Sequence, residues 1–107
     1  MLYKFKSKAA GDLIMLEPNG RRVLQIIGKE PGPKGIIQPS EMPAAVRSLE
    51  DAIAREEAEQ KAAIDEARAK GQVPPQFADV SLRQRAVPFL DMLQRCQKAG
   101  KEIVWGV

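Results

Sequence analysis

Residues 17–28 read Glu17-Pro18-Asn19-Gly20-Arg21-Arg22-Val23-Leu24-Gln25-Ile26-Ile27-Gly28, and the fold turns on whether this stretch is a helix or a strand. Glu17-Pro18-Asn19-Gly20 resembles a hairpin turn, which would make residues 23–27 a third strand. Strand alternation puts Arg21, Val23, Gln25 and Ile27 on one face, which mixes charge with apolar surface. At about 100° per residue, Arg21, Arg22 and Gln25 gather on one side and Val23, Leu24, Ile26 and Ile27 fill the other. Pro18 suits a first helical position and Gly28 the position after a helix. The expected element is a short helix over 18–28, with a hairpin strand as the competing reading.

Upstream, residues 2–7 alternate Tyr3 and Phe5 with Lys4 and Lys6, the period of a half-buried strand whose lysines discourage edge pairing. A turn at Ala9-Ala10-Gly11-Asp12 leads into Leu13-Ile14-Met15-Leu16, an apolar run of the kind a central strand shows. The two form an expected hairpin, 2–7 with 12–16. Downstream, residues 28–39 are punctuated by Gly and Pro and read as a loop, with Ile36 and Ile37 pinning its end. Ser40 is a candidate N-cap for a long helix over 40–70, and Pro43 is tolerable in its first turn. Met42, Val46, Leu49 and Ile53 follow at helical spacing. The apolar stripe fades after Arg55, so 55–79 reads as a polar helical extension closed by Pro74-Pro75 and dispensable for folding. Ile64 and Phe77 are its two residues best able to dock on the core. Ser81 and Gln84 form a capping box for a helix over 81–99. Its apolar face is Leu82, Ala86, Phe89, Leu90, Leu93 and Cys96. Pro88 predicts a kink or a break there. Residues 102–106 read as a terminal strand. The expected fold is therefore α+β: a small, mainly antiparallel sheet of about three strands against about three helices, in one domain over 1–107.

Size and composition agree. A chain of 107 residues with 44% hydrophobic content fits a globular domain that buries roughly 65% of its unfolded surface. Residues 2–6 lack the apolar run of a signal peptide, and no stretch approaches the ~20 apolar residues of a membrane span. A cytoplasmic protein without membrane partners is expected. The only cysteine, Cys96, permits no intrachain disulfide and reads as a core residue. Trp105 reads as a core anchor.

The sequence has no histidine. That removes imidazole acid–base catalysis, Ser-His-Asp and Cys-His nucleophiles, and imidazole metal sites; one Cys removes thiolate zinc sites. Glu56 with Glu59, and Asp65 with Glu66, are paired acids of the type hard cations use, but a solvated helix face with Glu57–Lys61 as an i,i+4 pair explains them more simply. Gly28-Lys29 and Gly100-Lys101 resemble the end of a phosphate loop. Glu30 and Glu102 stand where Ser or Thr is required, and neither glycine has its partner five residues earlier, so both read as helix C-termini. No catalytic residue, metal ligand or cofactor is expected.

Charge is segmented. Residues 1–35 carry seven Lys/Arg against three Asp/Glu, residues 36–79 five against nine, and residues 80–107 five against two, for a net charge of +3. This basic–acidic–basic pattern suits self-association or mutual shielding as readily as nucleic-acid binding. Lys4, Lys6, Arg21, Arg22, Lys29 and Lys34 are the candidate contacts for an anion or a nucleic acid, with Lys8 beside them. Tyr3 and Phe5 lie on the strand face opposite the lysines, so no stacking platform accompanies the charge. An anion at Lys29, Lys34 or the Ser40 helix start is a further, weaker possibility.

Several segments carry a resemblance: residues 1–7, Asp12-Leu13-Ile14-Met15-Leu16, Leu24-Gln25-Ile26-Ile27-Gly28-Lys29, Pro33-Lys34-Gly35-Ile36-Ile37, Met42-Pro43-Ala44-Ala45, residues 81–88 and Gly100-Lys101-Glu102-Ile103-Val104-Trp105. Together they resemble a small proteobacterial group, domain-of-unknown-function family eighteen-forty. The resemblance spans nearly the whole chain except about 55–79. It implies a complete bacterial domain, and no activity or site residue follows from it. The expected function is a non-enzymatic protein-interaction module with a protein partner, including a second copy of itself as a homodimer. The alternative is a nucleic-acid-binding protein using the N-terminal basic residues.

Overall fold

The computed structural model describes residues 2–77 and 81–106. Their fold is α+β. The strands are β1 (Leu2–Ser7), β2 (Ala10–Leu16), β3 (Gly35–Ile37) and β4 (Ile103–Trp105); the helices are α1 (Glu17–Ile26), α2 (Met42–Ala69) and α3 (Leu82–Ala99). The four strands form one sheet in the order β2-β1-β4-β3, with every pair antiparallel.

The stretch 17–28 is a helix. Gly20, Val23 and Leu24 are buried on the sheet side, while Arg21, Arg22 and Gln25 face out. The helix closes with the Lys29 N–H on the Leu24 carbonyl at 2.8 Å and the Gly28 N–H on the Gln25 carbonyl at 3.1 Å. Gly28 has φ +84°, the left-handed value this closure needs. The same motif, with Gly71 and Gly100, ends α2 and α3.

One face of the sheet carries the core. Phe5 is fully buried, its ring 4.8 Å from Phe89 edge-on, 6.0 Å from Trp105 and 6.1 Å from Tyr3. Ile37, Ile103, Met15, Val23 and Leu24 surround this cluster, with Met42, Leu49 and Ile53 from α2 and Ala86, Leu93 and Cys96 from α3. Cys96 and Trp105 are core residues, as expected. Met92, outside the expected apolar face of α3, is buried, and Leu90 is only half-buried.

The expected α+β class with a small antiparallel sheet and three helices is what the chain adopts, and several details differ. The sheet has a fourth strand, because Gly35–Ile37 within the expected loop pairs with β4 through Gly35↔Trp105, Ile36↔Val104 and Ile37↔Ile103. Ile37 is buried but Ile36 is 40% exposed, so only one of the pair pins the loop. The hairpin turn lies at Lys8-Ala9, and β2 starts at Ala10. The roles of the first two strands are exchanged. β1, with its lysines, is internal, and the apolar run of β2 lies at the sheet edge. Ser40 is not an N-cap. It sits in a 3-10 turn (Pro39–Glu41) whose capping box is Gln38 with Glu41. Of the two outcomes expected at Pro88, a kink or a break, the break does not occur: α3 runs unbroken from Leu82 to Ala99, held on either side by fully buried Ala86 and Phe89. The Ser81–Gln84 capping box is present, with reciprocal bonds of 3.0 and 3.1 Å.

The 28-residue α2 is about 42 Å long and overruns α3. The Cα radius of gyration is 16.0 Å, against about 13 Å for a compact chain of this size. The overrun is partly tied down. Glu56 accepts the Leu82 N–H at 2.9 Å, at the start of α3, and lies 3.4 Å from Arg22 of α1. Glu57 pairs with Arg83 through bonds of 3.0 and 2.7 Å rather than forming the expected local contact with Lys61. Beyond this point Ala67 is buried, Ile64 is half-buried and Phe77 is 41% exposed.

Candidate interaction surface

The geometry of the sheet decides which side chains are available. Alternation sends Tyr3, Phe5, Met15, Ile37, Ile103 and Trp105 to the helices, and sends Leu2, Lys4, Ile14, Leu16, Ile36 and Val104 the other way. Among the described residues no helix covers this second face. Leu2 is 57% exposed, Ile14 56% and Leu16 63%. The register builds them into rows: Leu2 opposite Leu16, Lys4 opposite Ile14, and Lys6, Val104 and Ile36 side by side across three strands. Lys4 pairs with Asp12 at 3.5 Å within this face.

The candidate basic residues do not converge. Lys4 and Lys6 lie on the bare face. Arg21 and Arg22 lie on the outer side of α1, paired with Glu17 at 3.5 Å and Glu56 at 3.4 Å. Lys29 follows α1 and pairs with Glu41. Lys34 is exposed in the loop before β3. That loop is anchored from the core by two aromatic hydrogen bonds: Tyr3 Oη–H donates to the Pro31 carbonyl at 2.9 Å, and Trp105 Nε1–H to the Gly32 carbonyl at 3.1 Å. Hydrogen bonding by Lys29 and by the Gln38 backbone N–H holds the Glu41 carboxyl below its usual range. Arg83 does the same to Glu57, and is itself raised by that carboxylate. Each candidate acid pair has a member used elsewhere: Glu56 of the Glu56–Glu59 pair accepts the Leu82 N–H, and Glu66 of the Asp65–Glu66 pair bonds Lys70 at 2.9 Å. Among the described residues no three potential ligands group around a metal position, and no helix is long and apolar enough to cross a membrane.

A family model described as "Domain of unknown function (DUF1840)" matches residues 1–105. The chain belongs to this family. The DUF1840 match spans β1 to β4 and so includes the whole sheet and its bare face. Neither a curated protein nor a solved structure matches the chain.

The exposed face was half legible in the sequence. The alternation of Tyr3 and Phe5 with lysines located the core side of β1. Leu13–Leu16, four apolar residues in a row, reads as a strand buried on both faces, which hides that Ile14 and Leu16 face solvent.

Proposed function

We propose that this DUF1840 chain is a non-enzymatic protein-interaction module of the bacterial cytoplasm, and that its partner on the sheet face is a second copy of itself. The observation that carries this reading is the uncovered sheet face, with Leu2, Ile14 and Leu16 each more than half exposed. Soluble domains leave such contiguous apolar surface mainly at interaction sites. Two sheets stack face to face about 10 Å apart, which makes a bare face self-complementary under a two-fold axis. The Lys4–Asp12 pair supports a like partner, since both signs of charge are present on this face. Four strands spaced ~4.8 Å apart, two of them only three residues long, give a projected face of roughly 300 Å². That lies below the ~800 Å² per partner of a standard interface, so weak, concentration-dependent association is expected. Dispersed basic residues, four of them with acidic partners, favour protein over nucleic acid as the partner. The lack of histidine supports the non-enzymatic part, and a fully buried lone cysteine suits a reducing compartment.

Light scattering over a concentration series tests the proposal. The wild-type mass should rise toward that of a dimer in the high micromolar range, and the Leu2→Glu, Ile36→Glu double variant should remain monomeric while melting cooperatively. A wild-type chain that stays strictly monomeric, or a variant that dimerises equally well, contradicts it. Salt-sensitive binding of the wild type to DNA or RNA at low salt would favour the nucleic-acid alternative instead.

A further inference from the structure

β2 is an edge strand of seven residues. Among the described residues its outer edge has no further backbone hydrogen-bond partner. The opposite edge, β3, has only three residues and adjoins the anchored loop. Edge strands are usually blunted by charge, proline or a covering element because they template pairing with another chain. β2 carries one charged residue, Asp12, and that side chain is engaged by Lys4.

A groove of about 240 Å³ runs beside this edge. Leu13 to Leu16 form one wall, and Asn19, Arg85 and Pro88 line the rest. Arg85 is only partly exposed, and it donates to Asn19 Oδ1 at 2.7 Å, a neutral acceptor. Arg21, Arg22, Arg83 and Arg95 all meet carboxylates; Arg85 meets none among the described residues. A partly buried guanidinium with spare donors is a strong recogniser of a carboxylate, which it grips through two parallel N–H···O bonds.

We propose that the β2 edge and Arg85 together bind an extended segment of a partner protein, added antiparallel to β2, with an Asp or Glu in its first half that pairs with Arg85. The proposal rests on the protein-interaction reading and adds a second surface with its own partner chemistry. Backbone bonding to β2 supplies affinity, and alternate side chains entering the groove supply selectivity. Arg85 lies beside Asn19, three residues after the end of β2. An antiparallel guest therefore brings its leading residues there.

The test is to pan a random heptapeptide phage library against the immobilised full chain. Peptides alternating β-branched or aromatic residues should emerge, with Asp or Glu fixed in the first half. Substituting that acid by Asn or Gln in a synthetic copy should weaken binding roughly thirtyfold or more, as truncating one member of a desolvated charge pair does. Panning on Arg85→Glu should move the preference at that position to Lys or Arg. No enrichment, enrichment without an acidic position, or an acidic preference unchanged in Arg85→Glu overturns the proposal. Should Arg85→Glu fail to fold, amide hydrogen exchange of the wild type with the selected peptide decides. Slowing at residues 13–16 is expected, and slowing confined to other elements overturns the proposal. A chain that dimerises through Leu2 and Ile36 yet selects no peptide overturns this proposal alone. A strict monomer that selects acidic strands overturns only the self-association reading.

Discussion

Gly20 is the position where one added methyl group would be felt most. It lies in α1, where Gly→Ala ordinarily stabilises by about 0.8–1 kcal/mol. Here a Cβ would fall 2.5 Å from the Tyr3 ring and 2.9 Å from Tyr3 Cβ. Tyr3 is buried and tied to the Pro31 carbonyl, so it cannot swing away. Gly20→Ala should therefore destabilise by about 1–3 kcal/mol, read as a lower urea midpoint; a raised midpoint would show that α1 can lift off the sheet. Glu41 offers a test by pH. Its carboxyl is held below the ordinary value of 4.5, first by hydrogen bonding to Lys29 and then by the Gln38 backbone. A lowered native value means its contribution is complete above the unfolded value and disappears as pH falls through the native one. The urea midpoints of wild type and Glu41→Gln should differ near neutrality and converge below the ordinary carboxylate range. A gap that widens in acid would contradict the assignment. Neither residue announced its role in the sequence. Gly20 looked like a turn glycine, because its contact is with Tyr3 seventeen positions away. Glu41 was masked by Ser40, the better N-cap by residue type, whose place is taken by the Gln38–Glu41 box.

At the scale of elements, the overrun of α2 divides near Glu57. Glu56 caps the start of α3 through the Leu82 N–H and reaches Arg22, so it links all three helices. Glu56→Ala should cost about 1–2 kcal/mol, the usual loss for a helix N-terminal acceptor. Past Glu57, the buried contact of Ala67 is with the returning segment, whose Gln72, Val73 and Pro75 line the same shallow pocket as Ala67. Replacing residues 59–77 with a short Gly/Ser linker should leave cooperative melting intact, because loop length costs only about 0.6 kcal/mol per doubling. Loss of cooperativity would show that the arm belongs to the core. The helices were legible because their stripes run over many residues and their ends carry strong signals, as at Ser81 and Gly100. β3 was not. Three residues cannot establish a period, and Ile36-Ile37 becomes a strand only because β4, sixty-six residues away in sequence, lies beside it.

At the scale of the molecule, the fold is two-layered, with helices on one side of a sheet and nothing among the described residues on the other. The sequence supports the covered side through the aromatics Tyr3, Phe5, Phe89 and Trp105. It conceals the bare side, since which strand is internal depends on β4 returning to pair with β1 through Phe5↔Trp105 and Lys6↔Val104. Once β1 is internal, β2 becomes an edge and the apolar residues on its outer face lose cover. The candidate basic residues, by contrast, were all named from the sequence, yet the fold disperses them, because charge counting along the chain carries no information about which elements end up adjacent. Self-association, as proposed, brings copies of this chain together through the bare face. An isotope-filtered NOE experiment tests it most directly, on a mixture of methyl-labelled and unlabelled chains at high micromolar concentration. Intermolecular contacts are expected from the methyl groups of Leu2, Ile14, Leu16 and Ile36, and their absence, or contacts confined to the helical side, would overturn self-association through this face.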